Sequence, residues 1–292
     1  MTFVDKWQQQ EFPMSIADFD FLRNLAYSQT GIVLPERKKQ MVYSRLSRRV
    51  RTLRLSTFSQ YCHYLENNTQ ELPEFINALT TNLTAFFREK HHFVHLDKQI
   101  CPQWLAGKQK RIRIWSAACS TGEEAYSIAM TLYGRIDLNL FDVKILATDL
   151  NTQVLETAKK GIYSAEVLPT IPANFSAKYI KTLPNTEQFS IKQRIKDLVH
   201  FKQLNLLQTW PMSGPFDVIF CRNVFIYFDS DTKQRIIKKF RALLNDGGYL
   251  IIGHAETIND FAADFEFVGH TIYRARKRKV PFSPLFQQQE AE

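Results

Sequence analysis

From residue 111 onward the chain alternates between strand-like and helix-like stretches, and this limits its fold more than any other feature. The stretches 111–116, 144–149, 216–221 and 249–253 read as strands. Helical patterns lie between them: one through Ile128 and Leu132, one from Val154 to Ala158, and one over 231–244. Strands that alternate with helices at this spacing form a mostly parallel sheet with helices on both faces. The expected fold class is therefore α/β and Rossmann-like. Residues 265–268 and 271–275 read as a closing hairpin around Gly269-His270. The stretch 176–204 interrupts the rhythm. There 189–192 and 198–201 alternate as short antiparallel strands would, which predicts a small β insertion.

The 292 residues leave room for a second domain ahead of this one. Residues 15–80 read as short helices. Ser15 and Asp18 make a plausible cap before Phe19, Leu22 and Leu25 at helical spacing. A second helix starts at Leu34-Pro35-Glu36, with Val42, Leu46, Val50 and Leu53 in one apolar stripe. Arg37, Arg48 and Arg51 fall on the opposite side of the wheel. Pro73 opens another short helix that ends near Leu79. Residues 37–54 hold eight basic residues and no acid. From charge alone, a solvated face and a docking face for an acidic partner stand level.

Residues 1–12 lack the apolar stretch of a secretion signal, and no apolar run approaches the roughly 18 residues of a membrane span. Cys62, Cys101, Cys119 and Cys221 lie far apart, as reduced thiols of a cytoplasmic protein would. The formal charge of +9 points to an acidic partner: nucleic acid, anionic lipid or an acidic protein surface. Beyond Arg274 the chain is basic and then rich in proline and glutamine, which reads as a solvated terminus.

The first strand runs into Ser116-Ala-Ala-Cys-Ser-Thr-Gly-Glu-Glu124. Small residues there let a ligand approach the backbone where doubly wound folds bind nucleotides. The loop is not a GxGxxG fingerprint, so a plain tight turn fits it as well. Asp149 ends the second strand, 27 residues beyond Gly122. A carboxylate there can accept from both ribose hydroxyls, or it can cap the helix that follows. The loop has no phosphate-binding lysine, and Glu123 and Glu124 would repel a pyrophosphate. A cationic ligand without phosphates, such as the sulfonium of S-adenosylmethionine, suits it better.

Five stretches in order complete the reading: TNLTAFFRE (81–89), RIWSAACSTGEEAYSIAM (113–130), ATDLNTQVLETAKKGIY (147–163), FDVIFCRNVFIYFD (216–229) and GGYLIIGHAE (247–256). With them the chain, from about residue 15 to 275, resembles the CheR family of chemotaxis receptor methyltransferases. The resemblance implies an all-helical N-terminal domain (1–80) for receptor docking and a junction motif (81–90) that contributes to the cofactor site. A Rossmann-like S-adenosylmethionine-dependent methyltransferase domain (91–285) with its small antiparallel β insertion would follow. It implies methyl transfer to glutamate side chains of chemotaxis receptors, with S-adenosylhomocysteine as product. Asn82, Thr84 and Arg88 would contact the cofactor from the junction motif. Glu124 would meet its methionine amino end and Asp149 its ribose, with Asn205, Leu206, Asn223 and Val224 at the remaining contact positions. Arg88 would also orient the incoming carboxylate, and Tyr227 would help shape that pocket, although a buried aromatic is as good a reading of Tyr227.

Phe86 and Phe87 read as core for at least one of the two. His91, His92 and His95 are metal-like by count, but neither the family nor the chemistry needs a metal. Adenine amino methylation typically carries Asn/Asp-Pro-Pro-Tyr after the strand that ends at Cys221, where this chain has Cys221-Arg-Asn-Val. Cytosine methylation typically needs a Pro-Cys nucleophile, and Cys221 follows Phe220. The expectation is a monomer that binds the cytoplasmic helices of receptors through its basic helix 35–54, and no nucleic acid. The main rival is an adaptor that holds the cofactor without catalysis. Two departures from the family pattern stand out. Ala125 replaces the common proline after the paired glutamates. Tyr179-Ile-Lys-Thr-Leu-Pro-Asn185 lacks the Arg-Gly loop that holds a receptor tail, so the resemblance does not extend to such tethering.

Overall fold

A computed structural model describes residues 10–278. The end of the tail, from residue 279 onward, and the start of the N-terminal stretch, residues 1–9, lie outside the described residues. The chain forms two compact units. The first runs to Thr81 and takes in Asn151–Gln153 and Tyr227–Thr232; the second holds the remaining residues.

The first unit is helical. α1 (Ile16–Thr30) begins with a full capping box: Ser15 Oγ accepts the Asp18 N–H at 3.0 Å and Asp18 Oδ2 accepts the Ser15 N–H at 2.8 Å. α2 (Lys39–Thr52) follows a 3-10 turn at Glu36–Lys38. α3 (Phe58–Asn67) is capped by Thr57, and α4 (Leu72–Leu79) carries Pro73 in its first turn. Leu22, Val42, Leu46, Val50, Phe58, Tyr61 and Phe75 are all fully buried and form its core. Thus α2 turns its expected apolar stripe inward.

The basic residues of 37–54 divide into two sets. Arg49 makes a two-pronged pair with the buried Glu71, at 2.8 and 2.7 Å, and Tyr61 donates to the same carboxylate at 3.1 Å. Arg45 donates to the Leu79 and Thr80 carbonyls, closing the end of α4. Lys39 is buried. Arg51 is exposed but pairs with Glu11. Arg37, Arg48 and Arg54 are exposed and make no side-chain ion pair with any described residue. Only part of the charge therefore faces water.

The second unit opens with α5 (His91–His95), a π turn (Leu96–Ile100) and α6 (Cys101–Ala106). The sheet begins with β1 (Arg111–Ala117), α7 (Glu123–Tyr133), β2 (Asp142–Asp149) and α8 (Thr152–Lys160). The strands β3 (Ile162–Ser164), β4 (Ile180–Thr182) and β5 (Gln188–Ile191) form a separate antiparallel sheet in the order β3-β5-β4, with α9 (Ala173–Tyr179) between the first two and α10 (Gln193–Lys196) after the last. The main sheet resumes with β6 (Val199–Gln203), β7 (Phe216–Cys221), α11 (Ser230–Leu243), β8 (Leu244–Ile252) and the hairpin β9 (Phe265–Gly269) and β10 (Ile272–Ala275).

Its order is β6-β2-β1-β7-β8-β10-β9, parallel through β8 and antiparallel over β10 and β9. Every residue of β7 is buried, including Asp217, whose carboxylate accepts the Arg113 N–H at 2.7 Å; the other five are apolar, as in a strand covered on both faces. The chain winds outward from β1 through β2 to β6, then returns to β7 on the other side of β1. That reversal is the switch point where open α/β sheets bind ligands, beyond the carboxyl ends of β1 and its neighbours.

The insertion differs from the expected 176–204. The small sheet is built from 162–164, 180–182 and 188–191, while 199–203 pairs parallel to β2, with Ile145 opposite Val199 and Asp149 opposite Gln203. An edge strand with one face open alternates polar and apolar residues like a surface hairpin. Alternation alone could not assign it to either sheet.

Candidate active site

The loop after β1 is a chain of left-handed residues: Ala118 (φ 61°), Ser120 (φ 50°) and Gly122 (φ 97°). Gly122 takes this conformation freely, whereas Ala118 and Ser120 carry a Cβ and adopt it at a cost. At Gly122 a second constraint acts. A Cβ there would lie 2.9 Å from Ala158 Cβ and 3.1 Å from the Tyr163 hydroxyl, so glycine allows α8 to approach the loop. The turn aims backbone N–H groups at the sheet end. Cys119 N–H donates to the Thr148 carbonyl at 2.9 Å and Ser120 N–H to Asp149 Oδ2 at 2.8 Å.

Asp149 is thus tied to the loop, whereas Asn151 accepts the Gln153 N–H in the first turn of α8. The same position gathers two more of the expected residues. Ser120 Oγ donates to the Asn82 carbonyl at 2.8 Å, and the Asp149 carbonyl accepts the Leu204 N–H at 3.0 Å just ahead of Asn205. Asn205 Oδ1 accepts the Leu207 N–H, and Leu206 is buried.

A second cluster lies at the ends of β1 and β7. Glu124, buried in the first turn of α7, accepts from Ser116 Oγ at 2.7 Å and from Arg222 Nη1 at 3.0 Å. Arg222 also reaches the Arg88 carbonyl and Glu89 Oε2, the latter at 3.3 Å. Asn223 has φ 59°; its Nδ2 donates to Glu89 Oε1 at 3.3 Å and its N–H to Glu256 Oε2 at 3.0 Å. A Cβ on Gly253 would stand 2.5 Å from Asn223 Nδ2, so glycine is required beside that turn. Arg88 is half-buried, and its guanidinium donates to the Leu83 carbonyl at 2.8 Å. Thr84 and Val224 are half-buried on the same two segments.

Tyr227 belongs to the helical unit, with Lys38 Nζ 5.4 Å from its ring centroid. Both junction phenylalanines are core. Phe86 packs edge-on against Tyr163 at 5.0 Å, and Phe87 stacks on Phe175 at 5.0 Å.

The sequence reading missed Glu89, Arg222, Ser120 and Glu256. For Arg222 a signal was present: a single charge inside the run 218–228, which is otherwise apolar apart from Asn223, must find a buried partner. Its partner could not be read the same way, because Glu89 lies far away in sequence.

Burial raises the carboxyls of Glu123 and Glu256, and it holds the Cys119 and Cys221 thiols well above the usual range, which makes them inert. For Glu89 burial acts upward. Arg222, His254, His92 and Asn223 outweigh it and bring the carboxyl down to about 2. His92 is lowered to about 3 by burial and by Arg222. Its Nε2 lies 2.8 Å from the His270 carbonyl, so that nitrogen carries the proton of the neutral ring. Glu89, His91 and His92 bring ligand atoms within 4.8 Å of one another. The Arg222 guanidinium lies against the same Glu89 oxygen that faces His92, and its charge opposes a metal there.

Both shifts are downward from ordinary values of 6.5 for His92 and 4.5 for Glu89. The stability they represent is complete above pH 6.5 and is lost in acid, first from His92 between pH 6.5 and 3, then from Glu89 between 4.5 and 2. The unfolding free energy from urea titration should fall from pH 6.5 downward, with a slope of at most about 1.4 kcal/mol per pH unit for each group. His92→Gln, which keeps a donor for the His270 carbonyl, should flatten the upper part of that slope. An unchanged slope would mean that another group titrates.

Against known proteins, residues 17–80 match the all-alpha domain of the CheR methyltransferase and residues 82–274 its SAM binding domain. The chain is 45% identical over 269 residues to chemotaxis protein methyltransferase 2 of Pseudomonas aeruginosa, covering 90% of this chain and 95% of that protein. It is 42% identical over 275 residues to the chemotaxis protein methyltransferase of Klebsiella aerogenes, covering 92% and 93%. It is 41% identical over 273 residues to that of Escherichia coli, covering 92% and 94%. Two domain matches in sequence order, relatives alike over nearly their whole length, and a left-handed loop with two buried carboxylates at the switch point lead to one conclusion: the chain belongs to the CheR methyltransferase family.

Proposed function

We propose that this protein transfers the methyl group of S-adenosylmethionine to glutamate side chains of chemotaxis receptors, forming methyl esters. The observation that carries the proposal is the pair of buried carboxylates, Asp149 and Glu124, on either side of the left-handed loop at the sheet's switch point. Asp149 offers acceptors to the ribose hydroxyls, and Glu124 offers one to the methionine ammonium. A lining rich in carboxylates suits a sulfonium and disfavours a phosphate. Asn82, Thr84, Asn205, Leu206, Asn223 and Val224 complete the proposed cofactor contacts. The cofactor supplies an activated methyl group and departs as S-adenosylhomocysteine.

The receptor glutamate has an ordinary pKa of about 4.3, so it is ionised at neutral pH and requires no general base and no metal. Its alignment is the remaining task. Arg88 is the residue assigned to that carboxylate, because a guanidinium matches its planar fork. Tyr227 is the second residue proposed on the substrate side.

The receptor would dock on the exposed basic residues of the helical unit, with the protein acting as a cytoplasmic monomer. Among the described residues no helix is long and apolar enough to cross a membrane. Arg37 and Arg48 are the better probes of docking, since Arg51 already pairs with Glu11. Reversing both to glutamate should raise the KM for receptor roughly tenfold at low salt, less at high salt, and leave cofactor affinity unchanged. Equal KM values would place docking elsewhere.

The deciding experiment is transfer of labelled methyl from S-adenosylmethionine to chemoreceptor-containing membranes. Base-labile label on the receptor is the expected result. Tight cofactor binding with no transfer to any receptor tested would favour an adaptor.

A further inference from the structure

Arg222 joins three segments that each carry a residue assigned to the reaction. Its side chain is 2% exposed. Nη1 donates to Glu124 at the start of α7; Nη2 reaches the Arg88 carbonyl and lies 3.3 Å from Glu89 in the junction motif. Glu89 in turn accepts from Asn223 on the turn after β7, and from the His254 N–H at 3.1 Å.

Two features separate this arrangement from an ordinary buried ion pair. First, the Arg222 contact falls between two left-handed non-glycine residues, Phe87 (φ 52°) and Glu89 (φ 56°), so it grips the strained peptide that presents Arg88. Second, one guanidinium serves two carboxylates that make no direct contact with each other. A buried pair adds little to stability over well-packed apolar residues, whereas it can specify geometry.

We propose that Arg222 is a positioning residue for methyl transfer: through Glu124 it sets the acceptor for the cofactor's methionine end, and through the Arg88 backbone it sets the guanidinium that receives the substrate. The proposal rests on the reading of this site as the S-adenosylmethionine site.

Lysine is the informative replacement. It keeps the charge but cannot reach three acceptors in a fixed fork. Arg222→Lys should bind S-adenosylmethionine at least tenfold more weakly in titration calorimetry, with a thermal midpoint near that of the wild type. In a Glu124→Gln background the same change should add less than about threefold, because the route through Glu124 is already cut. Wild-type affinity in Arg222→Lys, or losses that multiply independently, would overturn the proposal.

Should Arg222→Lys fail to fold, Glu89→Gln and Glu124→Gln provide the test. Their effects on cofactor affinity should be non-additive in the double variant, since Arg222 pairs with both. Independent effects would again overturn it. A wild-type protein that binds no S-adenosylmethionine would instead refute the reading of the site.

Discussion

An Asp149→Ala variant should bind S-adenosylmethionine on the order of 100-fold to 10,000-fold more weakly while remaining folded. Two hydrogen bonds from ribose hydroxyls to a carboxylate are each worth about 1.5–3 kcal/mol, and 1.4 kcal/mol is tenfold in affinity. The same carboxylate accepts the Ser120 N–H at 2.8 Å and so helps hold the loop in its left-handed form. Loss of that contact adds to the effect. Asp149→Asn keeps an acceptor for Ser120 but removes the charge, and it should fall between the wild type and alanine. Calorimetric titration with S-adenosylhomocysteine checks both. Affinity within threefold of the wild type in Asp149→Ala would place the ribose elsewhere.

Trp115→Ala should lower the stability of the methyltransferase unit by about 4 kcal/mol, within the range for a large aromatic removed from a core. Trp115 is fully buried in the middle of β1. Its ring meets Trp210 at 4.8 Å, Phe240 at 5.1 Å and Phe216 at 5.6 Å. Its Nε1 donates to Thr148 Oγ1 at 2.9 Å, linking β1 to β2 one residue before Asp149. Alanine would leave both a cavity and a buried hydroxyl without its donor. For a unit of this size the thermal midpoint should drop by roughly 8–16 °C. Trp115→Phe keeps most of the ring contacts and should lose less than half as much. A midpoint within 3 °C or so of the wild type in Trp115→Ala would mean that Phe240 and Trp210 collapse into the space.

Much of the fold could be read from residue order because its signals are local. The stretch 216–221 is apolar but for Asp217 because β7 is covered on both faces. Ser15 and Asp18 are three residues apart, the spacing that closes a capping box. The small residues of 116–122 mark a loop that lets a ligand approach the backbone, with Gly122 at its left-handed end. In the site, Asp149 was legible because it ends a strand at the switch point, while the role of Glu124 came with the resemblance. The resemblance then supplied Asn82, Thr84, Arg88, Asn205, Leu206, Asn223 and Val224.

What stayed hidden depends on pairing between distant segments. The stretch 199–203 alternates as a surface strand does, yet lies parallel to β2 at the edge of the main sheet. Eight basic residues in 37–54 look like one charged face until Arg49 turns to Glu71 and Arg45 to the end of α4. Arg222 announces only that it needs a buried counter-charge.

The sequence by itself determined the class of sheet and, through its five motifs, the family, because these follow from propensity, periodicity and motif spacing along the chain. Only the tertiary structure decided which sheet Val199–Gln203 joins, which arginines remain exposed, and that Glu89, Glu124 and the Arg88 carbonyl converge on Arg222. Those outcomes depend on long-range packing, where a buried charge is stable only beside the partner that the fold brings to it.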